Sequence, residues 1–406
     1  MSGTLSYTNA HDLKNNSGGG RDPSCITGVK NKSRDSNLEL LRIVSMILII
    51  AHHYSVHGGF SLADSALTIN KVLVQILSLG GKIGVICFVL ITGYFMITSS
   101  FKFKKLLKLV LEVLAYSVGI MVIFYIFGFA DFNLSTFARC IFPITHSLYW
   151  FATTYVALYI LSPFINKFVK ILSQREFVGI LFIIFLLCSI LPFFGALIPL
   201  FLSSSFGIGN LGLFIFFYMI AAYIRLYPKS FVGIFGNINA GFLLSVIFLG
   251  LLVISVVAFD IMGFILPSFS THATYFMSIT SPLAILSALS LFLFFKNLHI
   301  GDSKFINQIA LSMFGVYLIH DNLFVRPFLW HQIFQNASYF DSSYLFLHAL
   351  VVIALTFVIC TVIDQIRIMV LEKPLFKVID NVEKRYSETF QRLKSSLDCF
   401  VEKYIL

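Results

Sequence analysis

Ten apolar stretches alternate with short polar segments along this chain, at about 37–60, 74–97, 107–128, 149–168, 176–195, 211–227, 238–258, 276–296, 305–324 and 344–366. Each is close to the ~20 residues that cross the hydrocarbon of a bilayer. The pattern predicts an all-α polytopic membrane protein of about ten transmembrane helices. Residues 1–36 are polar and include a Gly18–Gly20 run, the composition of a disordered tail. The first apolar run starts late, is long and lacks a small-residue cleavage site, so it is expected to stay in the protein rather than act as a signal peptide. Residues 37–367 then form the membrane domain and 368–406 a charged tail. In that tail Leu375, Val378, Ile379, Val382, Tyr386 and Phe390 recur at helical spacing. A helix lying on the inner leaflet and a helix packed under the bundle both fit that spacing. Between Leu191 and Gly212, Pro192, Pro199 and the glycines leave room for a half-helix or re-entrant piece.

Composition supports the same class. The chain is 58% hydrophobic and 12% charged, with mean hydropathy +0.89, against about 25% charged in soluble domains. The net charge of +10 could suggest nucleic acid, but the basic residues cluster between apolar runs, which is a topology signal. With the N-terminus inside, ten spans put 25 of the 29 Lys and Arg on the inner face. The other 4, Lys71, Lys82, Arg139 and Arg326, fall outside. Both termini are therefore expected in the cytoplasm and the protein in the cytoplasmic membrane. The six cysteines are scattered, mostly within apolar runs, and no metal-ligand spacing is present. They predict neither a disulfide framework nor a bound metal.

The first stretch, NLELLRIVSMILIIAHHYSVHGGF, carries Glu39 and Arg42 at one end and His52, His53 and His57 at the other. Eleven residues of helix turn Arg42 and His53 to within about 20° of each other, roughly 16 Å apart along the axis. Ser45, Met46 and Ile49 lie near the same stripe. Ionisable groups in a span usually face a bundle interior or a wet cavity. The ninth stretch ends in YLIHDNLFVR, with His320, Asp321, Asn322 and Arg326. In the ten-span topology this end shares the depth of His53, and a histidine beside a carboxylate is suited to taking a proton from a hydroxyl. His57, His272, His331 and His348 are expected to be ordinary interfacial residues.

Arg42, ten residues and then His53, set in LRIVSMILIIAHHY, resembles the opening helix of the family-3 membrane acyltransferases, bacterial enzymes that move acyl groups onto cell-envelope glycans. YLIH is similar to the family's late histidine-bearing helix. HSLYWFATTYVALYILSPFI resembles its Trp-Phe helix, FIFFYMIAAYIRLYP its helix ending in Tyr-x-Arg, and Glu372-Lys373-Pro374 its closing Glu-x-Pro. Together the matches run from about residue 37 to 376. Where members often carry paired arginines after the second helix, this chain has Lys105 and Lys108 within FKFKKLLKLV, and lysine cannot make arginine's bidentate fork to phosphate.

The resemblance implies a membrane O-acyltransferase. Acetyl-CoA, a substrate rather than a resident cofactor, would approach Arg42, Lys105 and Lys108 from the cytoplasm. The hydroxyl of an envelope polysaccharide, or of its lipid-linked precursor, would be activated by His53 with His320 assisting or orienting it. Direct transfer and an acyl-histidine intermediate both remain open. The rival reading is a transporter or flippase of a lipid-linked or small polar substrate. Such proteins tend to carry paired repeats with matched broken helices, and none is evident here.

Overall fold

The computed structural model describes residues 35–62, 66–197, 209–228, 237–265, 273–385 and 395–396. The polar tail at 1–34, the middle of 191–212 and nearly all residues beyond 385 lie outside them. Among the described residues every regular element is helical. In chain order these are α1 (Ser36–Val56), α2 (Ile69–Ser78), α3 (Gly80–Met96), α4 (Phe103–Ile126), α5 (Leu134–Ile141), α6 (Trp150–Ile171) and α7 (Gln174–Phe185). They continue with α8 (Leu191–Leu197), α9 (Asn210–Leu226), α10 (Ile238–Ile265), α11 (Pro282–Asn297), α12 (Lys304–Ala310), α13 (Met313–His320), α14 (Leu345–Arg367) and α15 (Lys373–Arg385).

A helix stands at each of the ten apolar stretches. Among the described residues six helical segments are long and apolar enough to cross a membrane, or seven if a pair bent by 87°, Lys304–His320 and Val325–Tyr339, is one span. Asn210–Leu226 and Pro282–Asn297 are shorter apolar helices. The ninth stretch is the one that departs from a plain helix. It turns at Leu311–Ser312 and bends again after His320, where the Asn322 side chain accepts from the Phe324 N–H at 2.9 Å. An asparagine bonded to the backbone two residues on favours a turn over another helical turn.

Helix α1 sits at the centre, packed on α2, α3, α11, α12, α13 and α14. Its start is tied down by side chains rather than by a capping residue. The Asn37 amide donates to the Phe295 and Lys296 carbonyls at the end of α11, both at 3.0 Å, and Ser36 Oγ accepts from the Ser303 N–H at 2.9 Å. Orphan groups of two helix ends are thereby satisfied. Pro163 interrupts α6 and frees the Tyr159 carbonyl, to which Ser162 Oγ donates at 2.7 Å. The helix therefore continues through the proline.

Glycines let α3 lie close against its neighbours. A Cβ on Gly84 would come 2.6 Å from the Ser45 carbonyl of α1, and one on Gly93 2.6 Å from the Tyr218 carbonyl of α9. Small residues at such crossings are how membrane helices approach closely. Because backbone atoms cannot swing aside, Gly93→Ala is expected to lower the melting temperature of the detergent-solubilised protein. Gly119, in α4, has nothing within 4 Å of its Cβ position. Gly119→Ala is expected to raise the melting temperature slightly, since alanine is favoured over glycine in a helix by about 1 kcal/mol. If both variants melt alike, the close crossing at Gly93 is wrong.

A buried ionic network joins α4 to the end of α14. Arg367 contacts Glu112 at 2.9 Å, Asp364 at 2.8 Å and Glu372 at 2.9 Å. The Tyr116 hydroxyl donates to Asp364 at 2.7 Å. Lys108 pairs with Glu372, and Lys104 with Asp380 of α15. Helix α15 is thus fastened to the start of α4, while its apolar stripe of Leu375, Val378 and Val382 stays exposed.

Candidate active site

At the His53 end of α1 a cavity of about 300 Å³ opens between α1, α3, α6 and α13. His52, His53, His57, Lys82, Trp150, Tyr317, Asp321 and Arg326 line it, with Met46 and Ile49 continuing its wall along α1. Those two residues follow the stripe that joins His53 to Arg42, and Met46 lies one helical turn from Arg42. Arg42 itself does not line the cavity. Its guanidinium holds Glu39 at 2.7 Å and its side chain is 26% exposed.

The two histidines expected from sequence meet directly. His53 Nδ1 lies 2.9 Å from His320 Nε2, and His320 Nδ1 lies 2.6 Å from the Val316 carbonyl oxygen. A carbonyl can only accept, so His320 Nδ1 carries the hydrogen and, in the neutral ring, His320 Nε2 must accept. His53 therefore donates from Nδ1, which leaves the lone pair of its Nε2 available. Geometry alone fixes both tautomers. His320 is fully buried and stands behind His53 rather than in the cavity wall.

Asp321 follows His320 at the end of α13. Its Oδ1 is 3.9 Å from His53 Nδ1, 3.9 Å from His57 Nε2 and 2.8 Å from an Arg326 nitrogen. Arg326 also donates to the Asp321 backbone carbonyl at 3.1 Å, and Asn322 donates to the Tyr149 hydroxyl at 2.6 Å. These contacts hold the bend that carries His320 and Asp321, and they anchor it to the start of α6. His53, His57 and Asp321 could between them hold a metal ion, their ligand atoms lying within 4.8 Å of one another. Arg326 is already ion-paired with the carboxylate, and Lys82 lines the same cavity. Two resident cations suit the site to an anion or a developing negative charge better than to a metal.

The remaining residues predicted from sequence sit elsewhere. Lys105 is exposed on α4, and the Lys108 ammonium is held by Glu372. Among the described residues no hydrogen bond or ion pair links either lysine to Arg42. His57, expected to be ordinary, lines the cavity. Its spacing of four from His53 would have placed it on the same helix face. His331 donates from Nε2 to the His57 carbonyl at 2.7 Å, and His348 accepts from the Tyr54 hydroxyl at 2.9 Å. Both act in packing. His272 lies outside the described residues.

The architecture is that of a multi-pass membrane protein, an apolar helical bundle with His53, backed by His320, in a cavity at one end of its central helix. The chain belongs to the family-3 acyltransferases: the family's model, an acyltransferase domain, matches residues 35–365. No curated protein and no solved structure matches it.

Proposed function

We propose that this protein transfers an acyl group, acetyl by our reading, from acyl-CoA to a hydroxyl of a cell-envelope polysaccharide or of its lipid-linked precursor. The observation that carries the chemistry is the chain from the Val316 carbonyl through His320 to His53, which leaves His53 Nε2 as a proton acceptor in a cavity. The acceptor oxygen forms its bond to the thioester carbonyl carbon as His53 Nε2 takes the hydroxyl proton. Asp321, 3.9 Å away, offsets the positive charge this creates. The C–S bond then breaks, and the thiolate of CoA receives the proton back from His53.

The chain in this reading crosses the cytoplasmic membrane ten times, with both termini in the cytoplasm. Acyl-CoA approaches the Arg42 end and the glycan the His53 end. The cavity wall that runs from His53 to Met46 supports a donor lying lengthwise, with its charged part toward Arg42 and its thioester near His53. Lys105 is exposed and suited to a donor phosphate. Lys108 binds one only by releasing Glu372.

The test is the O-acetyl content of the surface polysaccharide, measured by proton NMR, in a deletion strain complemented with wild type, His53→Ala or Arg42→Ala. Acetyl signals are expected to return with the wild type alone while both variants are present in the membrane. Unchanged acetylation together with reduced polysaccharide export would sink the enzyme reading in favour of a transporter.

A further inference from the structure

The cavity at His53 has a second arm. A neighbouring cavity of about 410 Å³ shares His52, Val56 and Lys82 with it and extends toward α8 and the segment around 274–280. Each cavity has the size of a small-molecule site, about 300–1,000 Å³. The two arms differ in chemistry. The first presents the imidazoles and Asp321, whereas the second presents the hydroxyl side chains of Ser78, Thr274, Ser278 and Thr280 beside the rings of Phe193 and Tyr275. Polar groups of modest strength set among aromatic faces suit a sugar ring, which offers hydroxyls at its edge and C–H groups on its faces.

Lys82 stands at the junction. Among the described residues no carboxylate lies within ion-pair distance of its ammonium, which sits 5.5 Å from the centroid of the Trp150 ring. The other full charges lining the first arm, Arg326 and Asp321, are paired with each other. The His53 ring is the hub of the imidazoles, lying 5.6 Å from His52, 5.2 Å from His57 and 5.0 Å from His320 between centroids, each pair tilted. Asp321 lines the same cavity but is paired with Arg326, so the partly buried Lys82 ammonium, with no carboxylate in direct contact, attracts an anion strongly because little water screens it. Gly81 keeps the passage in its present shape: a Cβ there would come 2.2 Å from the His52 ring, which is held by the Ser78 carbonyl at 2.8 Å.

We propose that the second arm is an acceptor subsite that seats the sugar next to the one being acylated, with Lys82 binding a carboxylate or phosphate carried by that neighbouring sugar. This rests on the acyltransferase reading above and adds the substrate class to it. The enzyme then selects a chain of at least two sugars, one of them anionic, rather than a free monosaccharide.

The experiment uses the full-length protein in lipid nanodiscs, labelled acetyl-CoA, and oligosaccharides released from the source organism's surface polysaccharide and stripped of O-acetyl groups by base. One portion is carboxyl-reduced and another is dephosphorylated with hydrofluoric acid. With wild type, one of the two treatments is expected to raise KM by about ten- to a hundredfold, the effect of losing a charge-assisted contact, with kcat little changed. Lys82→Met should raise KM for the untreated oligosaccharide by a similar factor and have no further effect on the treated one. Lys82→Arg should restore most of the difference. If neither treatment changes KM, or if Lys82→Met penalises treated and untreated acceptors equally, the subsite is wrong while the acyltransferase reading stands. If wild type acetylates none of the oligosaccharides, that reading falls and this proposal falls with it.

Discussion

Replacing His53 with alanine is expected to lower kcat for acyl transfer by about 10²–10⁴-fold, the usual contribution of a positioned general base. The variant should leave KM for the acyl donor within a few-fold of wild type, because in the proposed reaction the donor's charged part binds at the other end of α1. The size of the loss follows from the hydrogen-bond order. His53 Nε2 holds a free lone pair in the cavity wall on a ring whose Nδ1 is fixed by His320, and His320 itself is engaged at both nitrogens. His53→Ala also leaves a ring-sized gap, so added imidazole should recover part of kcat, whereas it should recover nothing in Arg42→Ala. His320 is a positioning residue. His320→Ala should lower kcat by a smaller factor and alter the pH profile, because His53 loses the acceptor that selects its tautomer. Retention of more than a tenth of wild-type kcat by His53→Ala, with the variant folded, would remove His53 from the chemistry.

The second large effect is on folding. Arg367→Met is expected to lower the melting temperature of the solubilised protein by about 10 °C, corresponding to roughly 3–5 kcal/mol for breaking a buried charge network. Arg367 is the shared partner of Glu112, Asp364 and Glu372, and the Asp364 side chain is fully buried. Removing the guanidinium leaves those carboxylates facing one another in an apolar bundle. Replacing partners together should reverse much of the damage, since matched apolar or neutral groups avoid the desolvation cost. Glu112→Gln with Asp364→Asn in the Arg367→Met background is therefore expected to melt above the single variant. A single variant that melts like wild type would mean that the network is not closed as described.

Much of this was legible from spacing. A period of 3.6 residues placed Arg42, Met46, Ile49 and His53 on one stripe, and the last three do share the cavity wall. The apolar runs located the helices because segment length and hydropathy are properties of sequence alone. His320 was found for a different reason, as a polar group closing an apolar run at the depth of His53. What spacing could not give was contact across helices. Lys82 registered only as one outer charge. Its place in the cavity depends on Gly80, Gly81 and Gly84 letting α3 settle against α1. Glu112 was the missed signal, a carboxylate inside LKLVLEVLAYS, where an ionisable group implies a partner on another helix. The partner of Lys108 was invisible for the same reason, since Glu372 is more than 250 residues away in sequence.

The relay of imidazoles also determines where protons cannot go. From His53 it runs inward to His320 and ends at the Val316 carbonyl, which holds the last hydrogen and has no site to pass it to. A proton collected at the cavity has no onward step along this route, so His53 can give it back only to a group bound in that same cavity, and the proton taken from one substrate is kept for the other.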